Sequence, residues 1–180
     1  VRPLTIFDTM QRGLPLRRER GDHVVHVVVE GEVVVGRPRL VDLGRGVSVQ
    51  WLDLPPEEAQ AIADALAERA KPENARYRYD YFTNNCSTQV RDTLDTALGG
   101  ALKSQMVGRS RGNTFRSEAV RLASPATWMW LGFDLGLGPY ADTPMSRWEE
   151  AYVPMRLADS LRQAKNSAGR PLVQSEQVLV

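Results

Sequence analysis

The chain has 180 residues, 42% hydrophobic and 25% charged, with 23 basic side chains against 22 acidic ones. That is enough for one soluble domain with a full core, and a net charge of +1 leaves no electrostatic footprint for nucleic acid. A single cysteine, Cys86, excludes an internal disulfide, and no apolar run reaches the ~18 residues a membrane-spanning helix needs.

The chain opens on Val1-Arg2-Pro3-Leu4, with neither the charged n-region nor the apolar h-region of a signal peptide. A start without Met implies a processed, trimmed or partial chain, so residues 1–180 are read as a single domain, incomplete at its N-terminus. Pro3, Gly13, Pro15 and Gly21 punctuate an irregular opening segment. Arg17, Arg18 and Arg20 form a basic run that Glu19 and Asp22 dilute, which suits a solvated turn better than a phosphate site.

β-Branched runs over 23–29 and 32–35 flank Glu30-Gly31 and predict a hairpin. A further strand is predicted over 47–54, with Val47, Val49 and Trp51 on one face. The first helix is predicted over 56–70. Pro56 stands at its start, Glu57 and Glu58 in the first turn and Pro72 just beyond its end, while Ile62, Leu66 and either Ala59 or Ala70 form its apolar stripe. The alternating aromatics from Tyr77 to Phe82 suit an extended segment with one buried face.

After Thr83-Asn84-Asn85 a second helix follows, with Val90, Leu94, Ala97 and Leu98 on its buried face and Gly99-Gly100 as its stop. Helices are also predicted over 114–123 and 148–164, with an apolar segment over 128–137 and a last strand over 171–180. The expected fold is α+β, a small and mainly antiparallel sheet with packed helices.

Cys86 opens the second helix. Unpaired N–H groups and the positive end of the helix dipole favour a thiolate there. Asn84 and Asn85 are turn formers that present it at a sharp bend, and the N–H of Cys86 or Ser87 can form half of an oxyanion hole. The plainer alternative is a cysteine that fills the core at a helix start, which the polar Asn-Asn-Cys-Ser-Thr surroundings disfavour; Asn84, Asn85, Ser87 and Thr88 also read as helix caps.

A catalytic cysteine needs a base, usually histidine. The chain has only His23 and His26, three apart on a predicted strand and so pointing to opposite faces. Each reads more readily as structural or surface-exposed than as catalytic, and with one cysteine they make no recognised metal-ligand spacing. Arg91 and Asp92 read as a structural ion pair that can pin the helix to the sheet. No Gly-x-Ser-x-Gly elbow, phosphate-binding glycine loop or dinucleotide fingerprint occurs, so no cofactor is expected.

Pro72-Glu73-Asn74, Arg76, Tyr79-Asp80-Tyr81-Phe82, Asn85-Cys86-Ser87-Thr88 and Arg91-Asp92 together resemble the signature of the bacterial Lnb N-terminal periplasmic domain family, named for a lipoprotein N-acyltransferase. Upstream, Gln11-Arg12-Gly13 and the spaced Arg45, Val47, Gln50, Leu52 and Leu54 fit. Downstream, so do Gly138, Asp142, Trp148-Glu149, Pro154 and Gly169-Arg170-Pro171-Leu172-Val173, so the likeness runs over nearly the whole chain.

The resemblance implies a permuted papain-like thiol fold in a periplasmic or extracytoplasmic, membrane-associated protein whose membrane segments lie outside this chain. It implies cysteine-dependent acyl transfer or hydrolysis on a lipid-modified protein or another cell-envelope substrate, through an acyl-thioester. Cys86 is then the nucleophile with Asn85 beside it, His26 the candidate base, and Ser87, Asn84 and Tyr79 the substrate and oxyanion contacts. The family's usual histidine, in a Gly-His pair ahead of the segment where this chain begins, matches neither His23 nor His26. Two alternatives stand beside acyl transfer: a cell-wall peptidase or amidase of the same thiol class, and a non-catalytic binding domain that keeps the fold. An apolar groove beside the thiol favours acyl transfer and a narrow polar cleft favours peptide cleavage; Trp128-Met129-Trp130-Leu131 can line such a groove, although a buried core helix is the commoner origin of that pattern.

Overall fold

The structure, a computed structural model, describes residues 24–30, 47–69, 71, 73–74, 77–124 and 126–178. The basic run at 17–20, His23 and the expected strand over 32–35 lie outside these residues.

The architecture is α+β. Strands β1 (Val24–Glu30), β2 (Val47–Asp53) and β5 (Val173–Val178) form an antiparallel sheet with β2 in the middle. Strand β1 therefore pairs along its whole length with β2. Gln50 and Leu52, 0% and 1% exposed, lie on the β2 face that packs on helices, and Gln50 donates through Nε2 to the Ala158 carbonyl, 3.2 Å away.

Helix α1 (Pro56–Arg69) has its proline at the start, as predicted, and buries Ala59, Ile62 and Leu66. Of the two candidates for the third stripe position, Ala59 is buried in the core, and Ala70 lies outside the described residues. Helix α2 (Cys86–Ala97) ends where Gly99 and Gly100 take φ of 62° and 83°, conformations that cost glycine little. Leu94 is fully buried, while Val90, Ala97 and Leu98 pack on the core half-buried.

Helix α3 (Ala101–Met106), the small ladder of β3 (Ser110–Thr114) with β4 (Pro144–Ser146), and α4 (Phe115–Ala123), capped by Thr114, follow. One core joins Leu52, Ile62, Leu66, Leu94, Leu102, Leu157 and Leu161. Each such side chain contributes about 1.5–3 kcal/mol relative to exposure. A second core is built from Phe115, Met145, Tyr152 and Val153.

Three expectations are corrected. The single helix over 148–164 is two, α6 (Arg147–Glu150) and α7 (Pro154–Gln163), because Pro154 has no N–H to continue a ladder and starts a helix instead. The stretch from Tyr77 to Phe82 is not extended with a buried face. Asp80 Oδ1 accepts from the N–H of Phe82 (3.1 Å) and of Thr83 (2.8 Å) and folds the chain into a turn, so Tyr77, Tyr79 and Tyr81 stay 44%, 60% and 40% exposed and only Phe82 reaches the core. The apolar segment forms α5 (Thr127–Gly136), but it is no core helix: none of its residues is buried.

Candidate active site around Cys86

Cys86 is the first residue of α2, and its thiol is exposed. The turn that delivers it is held from both ends. Asp80 and Asn84 exchange backbone hydrogen bonds of 3.0 and 3.1 Å. The Asn84 amide donates to the Arg78 carbonyl (2.8 Å), and its oxygen accepts from Gln89, whose own side-chain oxygen accepts from Arg69 at the end of α1.

Asn85, 6% exposed, is the N-cap. Its Oδ1 accepts from the Thr88 N–H at 2.9 Å, and its own N–H donates to Thr88 Oγ1 at 2.8 Å, so the two residues close a capping box. Its Nδ2 donates to the carbonyls of Tyr81 (3.0 Å) and Tyr152 (2.9 Å). Ser87 Oγ donates to the Ala151 carbonyl at 2.7 Å. Arg91, 7% exposed, donates to Asp92 and, 2.8 Å away, to the Trp148 carbonyl, with its guanidinium 4.1 Å from the centre of the Trp148 ring.

Three polar side chains of the α2 segment thus dock on the carbonyls of residues 148, 151 and 152. Those of Ala151 and Tyr152 are free to accept because Pro154 breaks the helix there. Arg91 and Asp92 form the expected ion pair, but they pin α2 to α6 and not to the sheet.

The scaffold occupies the side chains of Asn84, Asn85 and Ser87. What it leaves open at the surface is the Cys86 sulfur; the N–H groups of Cys86 and Ser87, at the head of α2, have no intrahelical acceptor. Two phenols share this patch. Burial first, and then the nearby Cys86 charge, push Tyr77 and Tyr79 above the ordinary tyrosine value. Tyr79 was expected here. Tyr77, equally beside the thiol, was legible only through its position two residues earlier on the same alternating run.

His26 stands on β1 in register with Trp51. Among the described residues a cleft of about 470 Å³ runs between Val107–Ser110 and Pro144–Ser146 with Trp148 and Glu149, and it does not include Cys86. The thiol sits instead on an open, tyrosine-bordered surface.

Residues 21–122 match the family described as Lnb N-terminal periplasmic domain. The chain belongs to that family. The match contains Cys86, its whole capping turn and both histidines, and it ends within α4. The likeness seen from Gly138 to Val173 lies beyond it, so the carbonyl platform at 148–152 is supplied from outside the matched segment. Membership gives the domain an extracytoplasmic location. No curated protein and no solved structure matches the chain. Among the described residues, no helix is long and apolar enough to cross a membrane.

Proposed function

We propose that this Lnb-family domain carries out cysteine-dependent acyl transfer or hydrolysis outside the cytoplasm, on an acyl group of a lipid or a lipid-modified protein. One observation carries the reading. Cys86 is the exposed first residue of a helix whose cap is built by the buried Asn85 and Thr88, so the thiol is free for a substrate.

The Cys86 sulfur attacks the carbonyl carbon of an acyl ester. The leading N–H groups of α2 stabilise the oxyanion, and the alcohol leaves with a proton. The resulting acyl-thioester is then opened by an amine or by water, which returns the thiol. The chain has two imidazoles, so a Cys–His dyad within it uses one of them, and we assign that role to His26. The helix-borne cysteine after an upstream histidine is the arrangement of a permuted papain-like enzyme. Tyr77 and Tyr79 border the acyl group.

The test is release of p-nitrophenol from a p-nitrophenyl fatty ester by the wild-type chain and by Cys86→Ala. Loss of at least about a hundredfold of the turnover supports the reading. Equal rates in the two proteins, or no turnover by the wild type with this ester and with phospholipid, sinks it.

A further inference from the structure

Helix α5 turns an apolar stripe to solvent. Trp128, Leu131 and Leu135 recur at i, i+3 and i+7, so they share one face, and they are 75%, 44% and 76% exposed. Gly132 lies on the same face, where an added Cβ would meet open space. The half-buried Trp130 and Phe133 take the other side, with Phe133 stacked 6.1 Å from Tyr81. A surface helix normally points its apolar stripe inward, and an outward one marks an interaction surface.

The helix is held firmly in this pose. Arg116 of α4 donates to the carbonyls of Phe133, Asp134 and Leu137 and pairs with Asp142, which fixes the C-terminal end of α5. Phe133 links it to Tyr81, whose carbonyl receives the Asn85 cap of the Cys86 helix.

We propose that the α5 stripe is a bilayer-docking surface that seats Trp128, Leu131 and Leu135 at the headgroup–acyl boundary. Ten residues span about 15 Å, half a hydrocarbon core, so the helix lies in an interface and does not cross it. Tryptophan is the residue type enriched at that boundary, and Asp134, near the C-terminal end, is the one charged residue of α5. A second copy of the chain fits the stripe poorly. With Met129 (38% exposed) and Tyr140 (72%) the exposed fractions amount to about three whole side chains, roughly 600 Å² at ~200 Å² each, against the ~800 Å² per partner of a stable interface. The extracytoplasmic compartment of the family is bounded by membrane, so such a surface is within reach. The docking surface does not depend on thiol chemistry.

The experiment is flotation of the full chain with vesicles of phosphatidylethanolamine and phosphatidylglycerol, read together with the blue shift of tryptophan emission. Wild type and Cys86→Ala are expected to float equally. The double variant Trp128→Ser with Leu135→Ser is expected to lose at least about tenfold of its binding while keeping its circular dichroism and thermal transition. A wild type that stays in the soluble fraction at every lipid concentration, or a double variant that floats as well as wild type, overturns the proposal. So does a wild-type dimer in sedimentation that the double variant converts to monomer, since the stripe's occupant is then a second copy. Loss of flotation in Cys86→Ala alone counts against the independence of the two sites, whereas failure of the esterase test leaves the docking result standing.

Discussion

Helices α2 and α5 invert the usual arrangement in opposite directions. The first turns of α2 bury polar side chains, Asn85, Ser87, Thr88 and Arg91, and leave the reactive one outside. Helix α5 exposes Trp128, Leu131 and Leu135 and has no fully buried residue. Burial of a polar group is tolerable only when its hydrogen bonds are met, and around α2 they are met by carbonyls from residues 81, 148, 151 and 152. Exposure of an apolar stripe has no such internal remedy and points to something outside the chain. The first inversion holds a nucleophile still, and the second offers a surface.

The comparison breaks first at the joint beneath both helices. Glu118 of α4, which supports α5, is buried and pairs with Arg156 of α7 and with Arg121. Glu118→Ala leaves Arg156 without its buried partner and is expected to cost about 3–5 kcal/mol in urea unfolding. Burial pushes the Glu118 carboxyl up, but the hydrogen bonds from Arg156 and Arg121 outweigh it and hold the group below its ordinary value. The folded value is thus the lower one. The pair's stabilisation is complete above the unfolded carboxylate's value, ~4.3, and is lost as pH falls through the folded value. A urea series below neutral pH is expected to show this acid loss in wild type and a flatter profile in Glu118→Gln.

A smaller effect separates the two helices themselves. Asn85→Ala removes the cap and leaves the Tyr81 and Tyr152 carbonyls without their donor, an expected loss of roughly 2–4 kcal/mol. Trp128→Ser with Leu135→Ser is expected to stay within about 0.5 kcal/mol of wild type, since both side chains already face water. A large destabilisation by the α5 pair would remove the contrast between the helices.

Much of the frame was legible because its ends are written in proline and glycine. Pro56 and Gly99-Gly100 bound α1 and α2 where expected, and the Asn-Asn-Cys-Ser-Thr run announced a capped, exposed cysteine. The misreadings share a physical cause. Periodicity shows that a helix has an apolar face but not whether that face points inward, so for Trp128 to Leu131 a core helix stood as the commoner origin beside a groove lining. Alternation in the tyrosine stretch was overridden by a local turn made by one carboxylate, Asp80. Pro154 was visible within the predicted helix over 148–164, yet its consequence, free carbonyls that receive α2, appears only once the two segments meet in space. The Asn84 and Ser87 side chains, expected among the substrate and oxyanion contacts, donate to the Arg78 and Ala151 carbonyls, partners that only the folded chain brings to them.

The most direct test of the account is the intact mass of the chain after brief incubation with a p-nitrophenyl fatty ester at mildly acidic pH, where thioesters persist. The account predicts one added acyl group per chain, mapped to Cys86, removed by hydroxylamine and absent from Cys86→Ala. An unmodified wild-type protein, or an acyl group on another residue that persists in Cys86→Ala, would contradict it.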